Sequence, residues 1–297
     1  MKTKYSLDEL KNYHNEAIRF LGSELMLMKE AVQLIDEDRL SKASVILRSG
    51  GLNTGAAIIE LSNQIEYFES VVLMLSRSFL EAITNFCYVV VCDEKDYRAF
   101  ILHPVYKHFH KVRNPSMEDD FNLLFENIAK RQEKQNRLKE VPIVQEALSL
   151  FSEKNPNMNW SKKTLDQRIS IIQDRAKIFG CFFAILKFQY YSDASELLHG
   201  SLYGYLNNYG TFDPNLDISK DEEYSKKSYK NNTVILLHLG FLLHDVMTLI
   251  SHSTNIKQLW EHSNKNMGFA SQLLTLVLER EPLTKEIREY FEKTMIK

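Results

Sequence analysis

Apolar residues recur at helical spacing along almost the whole chain, and that period predicts an all-α protein. Ser6-Leu-Asp-Glu9 has the form of a capping box, and Leu21, Leu25, Met28 and Val32 follow on one face of a first helix over roughly 7–36. A shorter helix is expected to end at Gly50-Gly51. From Thr54 a pattern free of Pro, and of Gly apart from Gly55, runs to about Cys92, long enough to serve as the spine of a bundle. Over Ile65–Val91 the apolar residues surround that helix on nearly all sides, which predicts burial in the middle of the bundle. Val89, Val90 and Val91 favour a strand locally, but a lone strand has nothing to pair with, so helix is the reading.

Asp93 is expected to start a further helix that Pro104 kinks or breaks. Ser116 to Asp119 caps another, which runs into the charged segment Lys130–Glu140, and Pro142 suits the first turn of a helix to about Lys154. Asn155 to Trp160 reads as a loop, and helices follow over about 164–177 and 181–205. Residues 207–232, polar and turn-rich, are expected to form an irregular surface loop before helices at about 233–253, 256–279 and 283–295. The whole is read as a single helical domain of long antiparallel helices.

Composition sharpens this in a few places. With only 10 Gly and 6 Pro in 297 residues, turns are few and elements long. A formal net charge of −2 gives no field that would gather nucleic acid or anionic membrane by itself. Cys87, Cys92 and Cys181 lack metal-ligand spacing and are read as reduced and buried. The first residues hold no apolar signal-type run, so a cytoplasmic protein is expected. The greasiest stretch, Val234–Ile250, carries His238, His244 and Asp245, which suits a core helix better than a membrane span.

Polar residues on otherwise apolar helices are the candidate chemistry. Arg77 and Glu81 stand one turn apart among Met74, Leu75, Phe79, Leu80 and Ile83. Tyr191, Ser195 and His199 stand at i, i+4 and i+8 on the later apolar helix. The motifs Arg77-Ser-x-x-Glu81, then Trp160, then Tyr191-x-x-x-Ser195-x-x-x-His199-Gly resemble the bacterial family called domain of unknown function 5677 over about 55–210. The resemblance implies an all-helical fold and, the family being uncharacterised, implies no activity.

Two polar stripes in one bundle are expected to meet, and two readings stay open. In one, His199 is an acid or base, Glu81 orients it and Arg77 holds an anion such as phosphate. That reading makes the protein a metal-independent hydrolase or nuclease in stress or antiviral defence. In the other, the same residues form a buried network that specifies packing and leaves a binding or regulatory module for a protein or small ligand, with Tyr191, Ser195 and Trp160 as candidate binding residues. The binding module is preferred. No cofactor or metal is expected, and association with a second copy of the chain is compatible with the pattern.

Other sets are weaker. His238, Asp245 and His252 fall at sevens on one helix, too sparse for a compact metal site. His103, His108 and His110 are read as an exposed patch around Pro104. Arg98-x(4)-His103 fits the motif of a helical nuclease superfamily, but a motif this short arises about once by chance in such a chain. The basic run Lys130–Lys139 is read as a solvated face with little claim on nucleic acid, and the tyrosines between Tyr190 and Tyr209 as core and rim.

Overall fold

A computed structural model describes residues 4–113, 133, 136–152, 154–155, 157–176, 190–199, 222–251 and 254–279. Among them every regular element is a helix, so the all-α class holds. In chain order these are α1 (Leu7–Gln33), α2 (Asp38–Ile46), a π-type turn (Leu47–Leu52), α3 (Asn53–Ser62), α4 (Ile65–Val91), α5 (Glu94–Arg113), α6 (Pro142–Leu150), α7 (Leu165–Ala176), α8 (Ser192–Leu198), α9 (Glu222–Ser251) and α10 (Lys257–Leu278). Where the sequence reads as one domain, the chain divides into two compact units: Met1–Val91 with Gln167–Lys297, and Cys92–Asp166.

In the first unit the capping box forms as written. Ser6 Oγ accepts from the Glu9 amide at 3.3 Å, and the Ser6 amide donates to Glu9 Oε2 at 2.8 Å. The second start is capped by Glu37, whose carboxylate accepts from the amides of Arg39 and Leu40. Gly50-Gly51 does not end a helix. It lies inside the π-type turn that joins α2 to α3, and a methyl at Gly51 would stand 2.9 Å from Leu47 Cδ1 and 3.2 Å from Ile83 Cδ1. The two glycines therefore permit close approach to α4 rather than a stop. The break falls instead at Asn63-Gln64, between α3 and α4.

The enclosed helix is α9, not α4. Asn232 to Thr248 is buried at every position, whereas α4 leaves Tyr67, Val71 and Ser78 exposed. Helix α9 is long and apolar enough to cross a membrane, but 94% of that apolar window is buried inside the protein, which makes it a core helix. It begins at Glu222, inside the stretch expected to be a loop. The polar segment is helical because Lys226 pairs with Glu222 (3.0 Å) and Glu223 (3.5 Å), and because Tyr224 and Tyr229 reach across to Glu69 (2.6 Å) and Glu66 (3.1 Å) on α4. Residues 207–221 lie outside the described residues, as do 283–295.

Helices α1, α4 and α10 pack against α9. Phe20 of α1 meets Phe241 of α9 edge-on at 5.7 Å, directly beside Gly240.

The second unit packs α5 against α6 around Leu102, Tyr106 and Ala147. Helix α5 runs unbroken through Pro104, which lies on its exposed side. Helix α6 does start at Pro142 but stops at Leu150. The histidines here are not an exposed patch, His108 excepted. His103 Nε2 bonds Met158 O (3.0 Å), the Tyr106 hydroxyl donates to Asn155 O, and His110 Nε2 bonds Ser152 O (3.3 Å). Side chains one turn apart on α5 thus take successive carbonyls of the 151–160 segment, satisfying backbone acceptors that no helix supplies.

A methyl at Gly240 would collide with the ring of Phe20, which is itself buried and stiff. Gly240→Ala is expected to lower unfolding free energy by about 2 kcal/mol through overpacking of the α1–α9 seam. Urea denaturation checks this, and an unchanged midpoint would contradict it.

Candidate functional site

Arg77 and Glu81 project from consecutive turns of α4, and Tyr191 stands at the N-terminal boundary of α8. The two helices pack together and bring Tyr191 of the second stripe to Arg77 and Glu81. Arg77 Nε donates to Glu81 Oε1 at 3.3 Å, Arg77 Nη2 donates to the Tyr191 hydroxyl at 3.3 Å, and that hydroxyl donates to Glu81 Oε1 at 2.7 Å. The guanidinium also lies 4.5 Å from the centroid of the Tyr191 ring. Burial, and then the Glu81 carboxylate, raise the Tyr191 pKa, so the phenol stays protonated and keeps its role as donor.

The remaining arm of the guanidinium is unmatched. Arg77 Nη1 is buried and has no hydrogen-bond partner among the described residues. The side chains of Arg77 and Glu81 are 19% and 41% exposed, so the cluster lies at the edge of the core rather than under it. One turn beyond Glu81, Arg168 of α7 donates to Asn85 Oδ1.

Ser195 and His199 do not bond to this set. Ser195 is half-buried, and its carbonyl accepts from the His199 amide at 3.1 Å as α8 ends. The His199 side chain is exposed and its imidazole has no hydrogen-bond partner among the described residues. Trp160 belongs to the second unit, where it packs edge-on against Phe100 at 5.5 Å. The Arg98-x(4)-His103 motif is taken up by architecture: Arg98 grips Glu146 through two bonds of 2.6 Å, and His103 holds Met158 O. In the basic run Arg137 pairs with Glu133 at 2.5 Å; the positions between 130 and 135 other than Glu133 lie outside the described residues.

Among the described residues no group of three metal-ligating side chains could hold an ion. His238 Nδ1 and the Tyr190 hydroxyl are 3.4 Å apart, Asp245 is buried, and His252 lies outside the described residues. Cys87 and Cys92 are buried, burial pushing the Cys87 thiol up; Cys181 lies outside the described residues.

A second polar network went unread in the sequence. The Ser263 hydroxyl of α10 donates to Glu24 Oε2 of α1 and meets His244 Nδ1 of α9 at 2.7 Å. Asn266 Nδ2 donates to Glu24 Oε1 (2.8 Å) and Ser23 Oγ (3.0 Å), and Trp260 Nε1 donates to Thr248 Oγ1 (2.9 Å). Since the Ser263 hydroxyl is spent on Glu24, His244 must be protonated on Nδ1 to donate to it. The signal was present: Glu24 falls between Leu21, Leu25 and Met28 on the stripe that a core helix keeps apolar. Its complete burial closes it to substrate and marks it as a specifier of packing.

No family model, curated protein or solved structure matches this chain, so the family resemblance rests on its motif residues.

Burial lowers the pKa of His238 from 6.5 to about 4. The unfolded chain therefore takes up a proton, as pH falls through 6.5, that the folded chain refuses. The stability tied to a neutral His238 is complete above pH 6.5 and is lost between about pH 6.5 and 4. Replacing His238 by Gln removes that titration. The gap in unfolding free energy between native chain and His238→Gln should shrink by about 3 kcal/mol from pH 7 to pH 4. Guanidinium titrations at several pH values measure it, and parallel profiles would refute it.

Proposed function

We propose that this chain is a binding module that recognises a small ligand at the seam of α4 and α8, with Arg77 as the contacting residue. The observation that carries the reading is the buried Nη1 of Arg77 without an acceptor. Leaving a donor of a charged group buried and unpaired costs about 1–3 kcal/mol or more, and of the buried unpartnered polar atoms among the described residues Nη1 is the one that belongs to a charged group. The polar network around Glu24, which spreads the carboxylate over Ser263 and Asn266, is what purely structural polarity looks like in the same protein. At Arg77 the surroundings instead hold the guanidinium in place: Glu81 and Tyr191 fix one edge and the Tyr191 ring one face. This is preorganisation of a donor whose acceptor arrives from outside.

A binding role is favoured over hydrolysis because acid–base chemistry there needs a second titrating group to work with Glu81. The imidazole of His199 is exposed and bonds neither Arg77 nor Glu81. Tyr191 is held as a phenol by burial and by Glu81.

The test is to denature purified full-length protein and identify released small molecules by mass spectrometry, for the native chain and for Arg77→Lys. Lysine keeps the charge and loses the planar fork. A molecule released by the native chain and missing from a folded Arg77→Lys preparation is the expected result. Identical release from both would sink the reading, with circular dichroism confirming that each is folded.

A further inference from the structure

We infer that the α4–α8 seam takes a small carboxylate monoanion, seated on the Nη1/Nη2 edge of Arg77 and selected against phosphate dianion by Glu81. This rests on the binding role proposed above and names the ligand's chemistry.

A guanidinium offers two edges that each match a pair of oxygens: Nε with one Nη, and the two Nη atoms together. The first is occupied, because Nε donates to Glu81 Oε1 and Nη2 donates to the Tyr191 hydroxyl, which is itself bonded to the same Oε1. Glu81 and Tyr191 thus already imitate a bidentate acceptor on that side. Nη1 lies away from Nε–H, and it is the arm without a partner. Nη2 carries a second N–H directed beside it, so the vacant edge is a fork of two parallel donors. Planar carboxylate oxygens fit such a fork, whereas a single carbonyl oxygen fills half of it.

Charge then narrows the class. Glu81 already balances Arg77 at 3.3 Å, so the seam offers shaped donors with little net positive charge from this pair. A monoanion leaves the trio at one net negative charge, a dianion at two, within a few ångströms of a carboxylate and with Arg77 only 19% exposed. Phosphate, which the sequence alone leaves as a candidate, is the poorer fit. Size is limited as well. Nη1 is buried, so a broad macromolecular surface has no access to it.

The experiment titrates the full chain with benzoate, its neutral isostere benzamide, and inorganic phosphate at pH 8 and constant ionic strength. Binding is followed by calorimetry and by the NMR signals of 15N-labelled arginine side chains. Benzoate is expected to bind and to shift the Arg77 signals, with benzamide and phosphate at least about ten-fold weaker, the effect of a half-filled fork for the amide and of a surplus charge for phosphate. Glu81→Gln removes the selecting charge and should bring phosphate to within about three-fold of benzoate, while Arg77→Lys should lose benzoate.

Phosphate binding native protein as well as benzoate does would overturn the carboxylate assignment and leave the Arg77 binding role standing. Equal binding of benzamide would overturn the oxyanion assignment. Should none of the three bind a native chain that still releases an Arg77-dependent molecule, the ligand class is wrong and the binding role survives. Undiminished benzoate binding by Arg77→Lys would remove both. The selectivity among probes is read on the native protein, so it stands even if a variant fails to fold.

Discussion

The constraint on which the first unit depends is that α9 has no solvent face over Asn232 to Thr248. An apolar helix enclosed on all sides must be covered by other helices, and each polar group on it must find a partner inside. The neighbours are arranged around that need. His14 of α1 approaches Thr233 Oγ1 at 3.4 Å while its other nitrogen bonds Ser62 O at 2.9 Å. His244 is met by Ser263 and, stacked at 6.3 Å, by Trp260. His238 is met by Tyr190, and Thr248 bonds both its own helix and Trp260. Burial lowers the pKa of His14, His238 and His244 alike, so the enclosure holds these rings neutral. Asn232 departs from this pattern, its amide nitrogen and oxygen both buried without a partner among the described residues.

Two kinds of polar cluster therefore share one scaffold, and they differ in bookkeeping of donors and acceptors. Around Glu24 both carboxylate oxygens receive a donor, and each donor belongs to a helix that must be in register for the bond to form. Such a network specifies how α1, α9 and α10 meet. Around Arg77 three groups satisfy one another on a single edge while a cationic donor is left over. A sequence cannot separate these cases, because both consist of a charge at an apolar position. Coordinates separate them by counting what remains unmatched.

The helices were legible because apolar period, capping residues and the Pro142 start are local signals, and so was the meeting of Arg77 and Glu81 with Tyr191. What escaped the sequence was non-local. Glu222 to Asn231 looks like a loop by composition and is helical because Tyr224 and Tyr229 are tethered to Glu69 and Glu66 on α4. Gly50-Gly51 looks like a terminator and serves close packing on Ala82 and Ile83. His199 looked like part of the site because it repeats the spacing of Tyr191 and Ser195. The helix ends at that point, so the periodic argument loses its face.

The second unit shows how a motif acquires residues without acquiring chemistry. Arg98 and His103 have nuclease-like spacing, yet each is consumed: Arg98 by a two-bond grip on Glu146, His103 by the carbonyl of Met158. The same criterion applied to α4 has a different result. Arg77 is gripped on one edge by Glu81 and Tyr191, and the opposite edge has nothing to hold it. A helix seam that needed only an ion pair would be served by a lysine, whose rotating ammonium can turn its donors toward the acceptors present. A rigid fork cannot turn, so with one edge filled it must present the other. Arg98, held through the same edge, is about half exposed and turns its other edge to water, whereas Nη1 of Arg77 is buried without an acceptor among the described residues, and that difference is the physical reason to look for a ligand at Arg77 and not at Arg98.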